Sequence, residues 1–400
     1  MLHTPTSQQD LITLVGQWHQ HATPWTPCGQ GSRLHWGPPI TGNPEQLSCS
    51  GLHRILDHAV DDLTITVEAG LALADLQATL AVHGQWLPVD WPRSTAAESP
   101  ESAGSIGGLV ARGLAGGLRQ RHLGVRDQII GIGLLRSDGT PARAGGRVVK
   151  NVAGYDLMRL LCGSWGSLAL ITELTLRVQP IRPAHGLLHL HGALKDLEAC
   201  RASLLHSSLT PERCDWHGSI DGSWQLRLLV SSVSDQAVDT QLSRLEALAG
   251  QHQLDAERHP CDQPLAPGLS SDAMQWLVRV AMPPARLHLL LSSAERLDLK
   301  GWRWDLAAGA GCGDGWQIST ADIISTAELN STAKRIEALR HRTEALGGRL
   351  TVLQQPKPGG NHDRLQAWGD APAKAVMSAV KQQFDPQAQL SPGRLPGVAG

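Results

Sequence analysis

Tyrosine and phenylalanine are almost missing: one of each stands in 400 residues, against 13 tryptophans. That scarcity makes Tyr155 conspicuous, whereas scattered tryptophan reads as core or interface. The seven cysteines (Cys28, Cys49, Cys162, Cys200, Cys214, Cys261 and Cys312) are odd in number and form no CxxC pair. This argues against a disulfide framework and against an iron–sulfur or zinc site, and it points to a reducing compartment. Charge of one sign is also lacking. The formal net charge is −2 and no block of like charge occurs, so nothing calls for nucleic acid. No run reaches the ~18 apolar residues of a membrane-spanning helix. Met1 to Asp10 is polar, without the apolar core of a signal peptide. The expectation is a soluble, cytoplasmic protein with no transmembrane segment; peripheral docking at a membrane through partner subunits stays open. There is no Gly-x-Ser-x-Gly elbow of a hydrolase and no solenoid repeat.

Hydrophobic residues make up 41% and charged residues 18%, enough to bury a sizeable core, and the length suits two or more domains. Leu11, Val15 and Trp18 form one stripe of a helix over 8–21. Residues 63–68 alternate as a strand, and a helix follows through Leu73, Leu76 and Leu80, with Gly84 at its cap. Residues 94–124 read as loop. Strands are expected at 128–135 and 168–178, with a hairpin turn at Ser137-Asp138-Gly139-Thr140 and a short helix at 156–161. Pro180 and Pro183 break the pattern and mark a boundary. Beyond them, strands are expected at 186–192, 224–232, 276–282 and 286–292, and helices at 195–207, 235–250, 326–346 and 373–384. The fold class is α+β: residues 1–182 as one domain, 183–375 as an α+β cap with a mostly antiparallel sheet, and 376–400 as a helix and tail returning to the first domain.

Three glycine-bearing stretches carry the chemistry. Gly29-Gln30-Gly31-Ser32 can turn successive backbone N–H groups inward, and such a nest holds a diphosphate without a charged side chain. It lacks the third glycine and the βαβ spacing of the Rossmann fingerprint. Ser105-Ile106-Gly107-Gly108 opens a small apolar helix, where backbone can approach a ligand closely and a helix start favours phosphate. The third stretch, Lys150-Asn151-Val152-Ala153-Gly154-Tyr155-Asp156, lies between two strand-like runs and is hard to explain as core filling. Gly163-Ser164-Trp165-Gly166 and Ile171-Thr172-Glu173 follow it.

Taken in order, these segments resemble the FAD-binding domain of the vanillyl-alcohol oxidase / p-cresol methylhydroxylase (PCMH-type) superfamily. The tail Phe384-Asp385-Pro386 with Ser391-Pro392-Gly393-Arg394 belongs to the same resemblance. The lysine–tyrosine block and Trp302-Arg303-Trp304 look most like an FAD-binding subunit of a glycolate oxidase (glycolate dehydrogenase) complex. The resemblance implies that Gly29, Gln30, Gly31 and Ser32 hold the pyrophosphate, and that Ser105, Gly107 and Gly108 contact the diphosphate and the flavin side of the cleft. It implies that Lys150, Asn151, Gly154 and Tyr155 line the cofactor, that Ile171 presents backbone to its adenine end or its ring, and that Arg394 lies in the returning tail. For Tyr155 the plainer alternative is a half-buried tyrosine with one satisfied hydroxyl.

The chain also departs from that pattern. Some members bond FAD covalently through a histidine in the first glycine loop; the matching position is Ser32, with His35 three residues on, so the expectation is non-covalent FAD. The tail has Ser391 where asparagine is common. Catalytic 2-hydroxy-acid members carry Glu-His-Gly and His-x-Gly-Asp-Gly-Asn-x-His segments, and neither occurs here. Gly313-Asp314-Gly315-Trp316 echoes them faintly and reads as a turn. His189-Leu190-His191 places two rings on one strand face without a third ligand at metal spacing, so no metal is expected. His252, His259 and His341 read as solvated. Catalytic residues stay unassigned. The implied role is an FAD subunit taking part in oxidation of glycolate, a small 2-hydroxy acid, to glyoxylate. Its implied partners are a homologous flavoprotein catalytic subunit and an iron–sulfur subunit that takes the electrons. Two alternatives stay open: a non-catalytic electron-transfer or assembly subunit, and a stand-alone FAD-dependent alcohol or 2-hydroxy-acid dehydrogenase.

Overall fold

The computed structural model describes residues 1–92, 104–146, 155–219, 222–261, 274–299, 301–318, 326–356 and 364–399. The N-terminal half is built on two sheets. A parallel sheet runs Leu2–His3, Glu45–Ser48, Trp25–Cys28. The helix Gln8–Gln20 covers it with Leu11, Val15 and Trp18, the stripe read from the sequence. An antiparallel sheet is ordered Ile55–Ala59, Thr64–Glu68, Leu170–Arg177, Ile129–Leu135, Pro141–Gly145. The helices Leu73–Val82 and Ile106–Arg112 bury Leu73, Leu76, Leu80, Ile106 and Val110 in the core that contains Ile65, Val67, Leu174 and Leu176.

The second half is one eight-stranded antiparallel sheet made of two βαββαβ units of ferredoxin-like topology. In the first, Ala184–His191, Leu194–Leu205, Arg213–Ser219, Gln225–Ser232, Asp235–Gln251 and Asp255–His259 follow in order. In the second, Met274–Ala281, Leu287–Arg296, Trp302–Ala307, Cys312–Ile318, Thr326–Ala345 and Arg349–Gln354 do the same. The units join edge to edge through Arg213–Ser219 and Trp302–Ala307, with Trp216 opposite Leu306. About that pair, Arg213-Cys214-Asp215 corresponds to Arg303-Trp304-Asp305. Successive strand residues point to opposite faces. Cys214, Trp216, Trp302, Trp304, Leu306, Val278 and Val280 therefore form one core with helix residues such as Leu245, Leu290 and Leu339. The face opposite these residues is the polar one.

Three local expectations are corrected. Within the stretch read as loop, Arg119–His122 is helical, while Ile106–Arg112 is the small apolar helix expected to open at Ser105-Ile106-Gly107-Gly108; Ser105 supplies its cap, its Oγ accepting from Gly108 N at 3.2 Å. Leu287–Arg296 is a helix, not a strand, burying Leu287, Leu290, Leu291 and Ala294 at helical spacing. Gly313–Trp316 is not a turn but part of the strand Cys312–Ile318. A Cβ on Gly315 would come within 2.4 Å of the Trp304 ring, so glycine there makes room for a tryptophan.

The chain end reaches back to the N-terminal sheets. Val380 and Phe384 of the helix Lys374–Phe384 pack on the core of the five-stranded sheet. Leu390 bridges to Trp25, and the Gln389 side chain donates to Trp18 O at 2.9 Å and Thr23 O at 3.0 Å. Lys381 Nζ donates to Ser167 O at 2.8 Å and Leu390 O at 2.7 Å, fixing the tail beside the Gly163–Gly166 turn.

Candidate active site

Between the glycine loops and the polar face of the large sheet lies a cleft of about 1450 Å³, counted to its open mouth. One end is walled by Gly29, Gln30, Gly31 and Ser32, with Ser105, Gly107, Gly108 and Ile171 beside them. Gly31 has φ +74°, the left-handed conformation that glycine adopts without strain. Carbonyls of this loop are engaged: Ser48 Oγ donates to Gly29 O at 2.8 Å and Leu34 N to Gly31 O at 3.4 Å. A loop with its carbonyls so occupied can offer its N–H groups to an anion.

The N–H groups of Gly107 and Gly108 are spent within the protein, on Ala69 O at 2.7 Å and on Ser105 Oγ. A Cβ on Gly107 would lie 2.8 Å from Ala69 Cβ and O, so this glycine lets helix Ile106–Arg112 sit against the strand end at Ala69. Arg394 lines the cleft and binds the loop after the nest: it donates to Leu34 O, to Trp36 O at 2.8 Å and to Pro38 O at 3.1 Å. Tyr155 is 87% exposed and outside the lining, meeting neither reading of it. Lys150, Asn151 and Gly154 lie outside the described residues.

Several lining residues escaped the sequence reading. Arg112 donates to Arg33 O at 2.6 Å and lies 3.9 Å over the Trp165 ring; its Nη1 is buried without a partner. Burial, with Arg394 and Arg33 nearby, pushes its pKa down to about 9. At the nest end the charged lining is thus cationic, from Arg33, Arg112 and Arg394. Every carboxylate of the lining (Asp90, Asp215, Asp305 and Asp314) sits toward the large sheet. There Arg213 meets Asp215 at 2.9 Å and Asp90 at 3.6 Å, and Arg279 meets Asp314 at 2.9 Å. Asp90 also accepts from Gly116 N at 2.7 Å and Leu118 N at 3.3 Å. The clue in the sequence was the repeated Arg-x-Asp, which puts both side chains on one face of a strand.

The residues present fit an FAD. A left-handed glycine loop and, among the described residues, a cationic lining of Arg33, Arg112 and Arg394 suit its diphosphate. Nothing in the geometry requires a metal. Among the described residues, no group of three or more His, Cys, Asp and Glu could hold one. The His189 and His259 rings lie 4.1 Å apart on the sheet at a tilt of 37°, so His259 is half-buried against its neighbour rather than fully solvated. His252 is tied to Ser203 Oγ at 3.0 Å, while His341 is exposed. His35, downstream of the nest, contacts Gln354 at 3.1 Å and is not among the lining residues. Among the described residues no disulfide joins two cysteines.

Residues 1–145 match the family model FAD_binding_4, described as FAD binding domain. The chain is 38% identical over 181 residues to glycolate oxidase subunit GlcE of Escherichia coli (strain K12), covering 45% of this chain and 49% of that protein. It is 31% identical over 177 residues to glycolate oxidase subunit GlcD of Bacillus subtilis (strain 168), 44% of this chain and 36% of that one. A longer, weaker match, 22% identical over 98% of this chain and 71% of the relative, is to D-lactate dehydrogenase [cytochrome] 1, mitochondrial, of Saccharomyces cerevisiae. In the first two cases the chain spans half or less of the relative's length. Alkyldihydroxyacetonephosphate synthase has the same fold, with a TM-score of 0.69 at 12% identity over 98% of this chain and 75% of that one.

Proposed function

We propose that this chain is an FAD-dependent oxidoreductase acting on a small 2-hydroxy acid, supported by the match of residues 1–145 to the FAD binding domain model. We place it as the FAD-binding subunit of a glycolate oxidase type of complex, turning glycolate to glyoxylate and passing electrons to an iron–sulfur partner. The observation that carries the reading is one continuous cleft joining a cationic glycine-loop end to a charged sheet face. Likeness to glycolate oxidase subunits and D-lactate dehydrogenases supports the substrate class.

Gly29, Gln30, Gly31 and Ser32 would hold the diphosphate through backbone, with Arg394 and Arg112 fixing the carbonyls of the following loop. Ser105 caps the neighbouring helix, and Ile171 closes the wall. When bound, non-covalently in this reading, the flavin supplies a two-electron acceptor. The sheet face supplies polar groups toward a small substrate, and Trp36, Trp91 and Trp165 exclude water from the walls. The absence of the two histidine segments favours a second reading, an FAD-bearing electron-transfer or assembly subunit whose catalytic site lies on the homologous flavoprotein.

The two readings part in a reconstitution. The chain is loaded with FAD and assayed with glycolate and an artificial electron acceptor, alone and then with the homologous flavoprotein and iron–sulfur subunits. Turnover by the isolated chain supports the first reading. Turnover that appears only in the mixture, and survives removal of FAD from this chain, supports neither it nor an electron-transfer role.

A further inference from the structure

Among the described residues, Asp215 is the buried carboxylate of the cleft with an oxygen left over. Its Oδ2 accepts from Arg213 Nε at 2.9 Å, while its Oδ1 is buried and has no hydrogen-bond partner. The residue is 6% exposed and lines the cleft. An unsatisfied buried oxygen costs free energy and persists where something else uses it. Gly117 packs closely on this pair: a Cβ there would stand 2.3 Å from Oδ1 and 2.7 Å from Arg213 Nε, so only glycine leaves the carboxylate its place.

The groups around it fix its electrostatics. Arg213 lies on its own strand, Asp305 on the strand Trp302–Ala307, Arg227 opposite it on Gln225–Ser232, and Asp90 on the loop that faces the sheet. Arg213 is shared between Asp90 and Asp215. The charges of Asp305 and Asp90 weigh against ionisation of the Asp215 carboxyl.

We propose that Asp215 is the proton acceptor of this cleft, taking the hydroxyl proton of the alcohol being oxidised through Oδ1. The inference rests on the oxidoreductase reading and deepens it, because it puts acid–base chemistry on this chain. The balance is simple. The α-carbon's hydrogen leaves with its bonding electron pair to the flavin acceptor, the O–H proton goes to the Asp215 carboxylate, and the alcohol becomes a carbonyl. Burial first, then Asp305 and Asp90, against the pull of Arg213, raise the Asp215 pKa to about 7. A base poised near the working pH is the efficient kind. The form that accepts the proton is the ionised one, so the rate rises as pH rises through that value.

The test is anaerobic reduction of the FAD-loaded chain by glycolate and by D-lactate from pH 5 to 9, for wild type, Asp215→Asn, Asp215→Glu and Asp305→Asn. Asp215→Asn is expected to keep its flavin spectrum and to be reduced about 100-fold more slowly or worse, within the range for loss of a general base, with no rise across pH 7. Asp215→Glu recovers part of the rate and the pH dependence. Asp305→Asn keeps the rise and shifts its midpoint down, because a like charge has been removed. A carboxylate serving only Arg213 would change FAD retention or melting and leave the pH profile in place; that result, or wild-type rates in Asp215→Asn, overturns the proposal. Infrared difference spectra decide the assignment independently of turnover. A carboxyl stretch that titrates near pH 7 and vanishes in Asp215→Asn is expected, and its absence from the wild type sinks the assignment. A wild-type flavin that no hydroxy acid reduces, alone or with its partners, contradicts the oxidoreductase reading instead.

Discussion

Arg394 shows how a residue far along the chain completes a site at the beginning. Its guanidinium gathers three carbonyls, those of Leu34, Trp36 and Pro38, and hydrogen bonds to a charged group are worth about 1.5–3 kcal/mol each. Arg394→Ala should therefore weaken FAD binding by about tenfold or more and lower the melting temperature. Arg394→Lys should rescue little, because an ammonium cannot span the carbonyls as a planar fork does. Titration of the apoprotein with FAD, followed by flavin fluorescence, measures both. Asp215 makes a separate prediction about stability. Its folded pKa is raised above the unfolded carboxylate value. Its contribution is thus fully present below the unfolded value and is lost as pH rises through the folded one. Relative to wild type, Asp215→Asn should gain melting temperature between pH 5 and pH 8, and a difference that stays flat would contradict the assigned direction.

At the scale of elements, packing decided what propensity left open. The stripe of Gln8–Gln20 and the alternation of Thr64–Glu68 were legible because each has one apolar face and one clear period. Leu287–Arg296 was not, since Leu287, Leu289 and Leu291 alternate with His288 and Leu290 and fit a strand pattern as well as a helix. Cys312–Ile318 was missed because its glycines looked like a turn, whereas Gly315 lies against the Trp304 ring and Gly313 against Asp305 and Leu306. Gly315→Ala should consequently cost about 1–3 kcal/mol by overpacking, seen as a lower denaturant midpoint. Gly107→Ala tests the close approach of a helix to the Ala69 strand end. It should lower stability and FAD retention together, whereas Gly31→Ala, with nothing nearer than 3.9 Å but a left-handed φ, should cost about 1–2 kcal/mol from backbone strain. The glycine loops were visible in the sequence because ligand-cradling backbone needs glycine. The arginines and aspartates were not, because the cleft is made by strands brought together from distant positions.

For the whole molecule, the division of charge matters most. Both halves of the chain contribute to each end of the cleft: Arg394 of the tail joins Arg33 and Arg112 at the cationic end, and Asp90 of the N-terminal half faces the aspartates of the sheet. The duplicated βαββαβ sheet supplies the second wall, and its repeated Arg-x-Asp shows how one unit used twice yields a polar platform. Among the described residues no helix is long and apolar enough to cross a membrane.

The most direct test of this account is the visible spectrum of the isolated chain, loaded with FAD and mixed with glycolate or D-lactate without oxygen. The account predicts a stoichiometric flavin that is bleached by the hydroxy acid. A chain that takes up no FAD would contradict it at the cleft, and a flavin that stays oxidised would contradict the chemistry assigned to the sheet face.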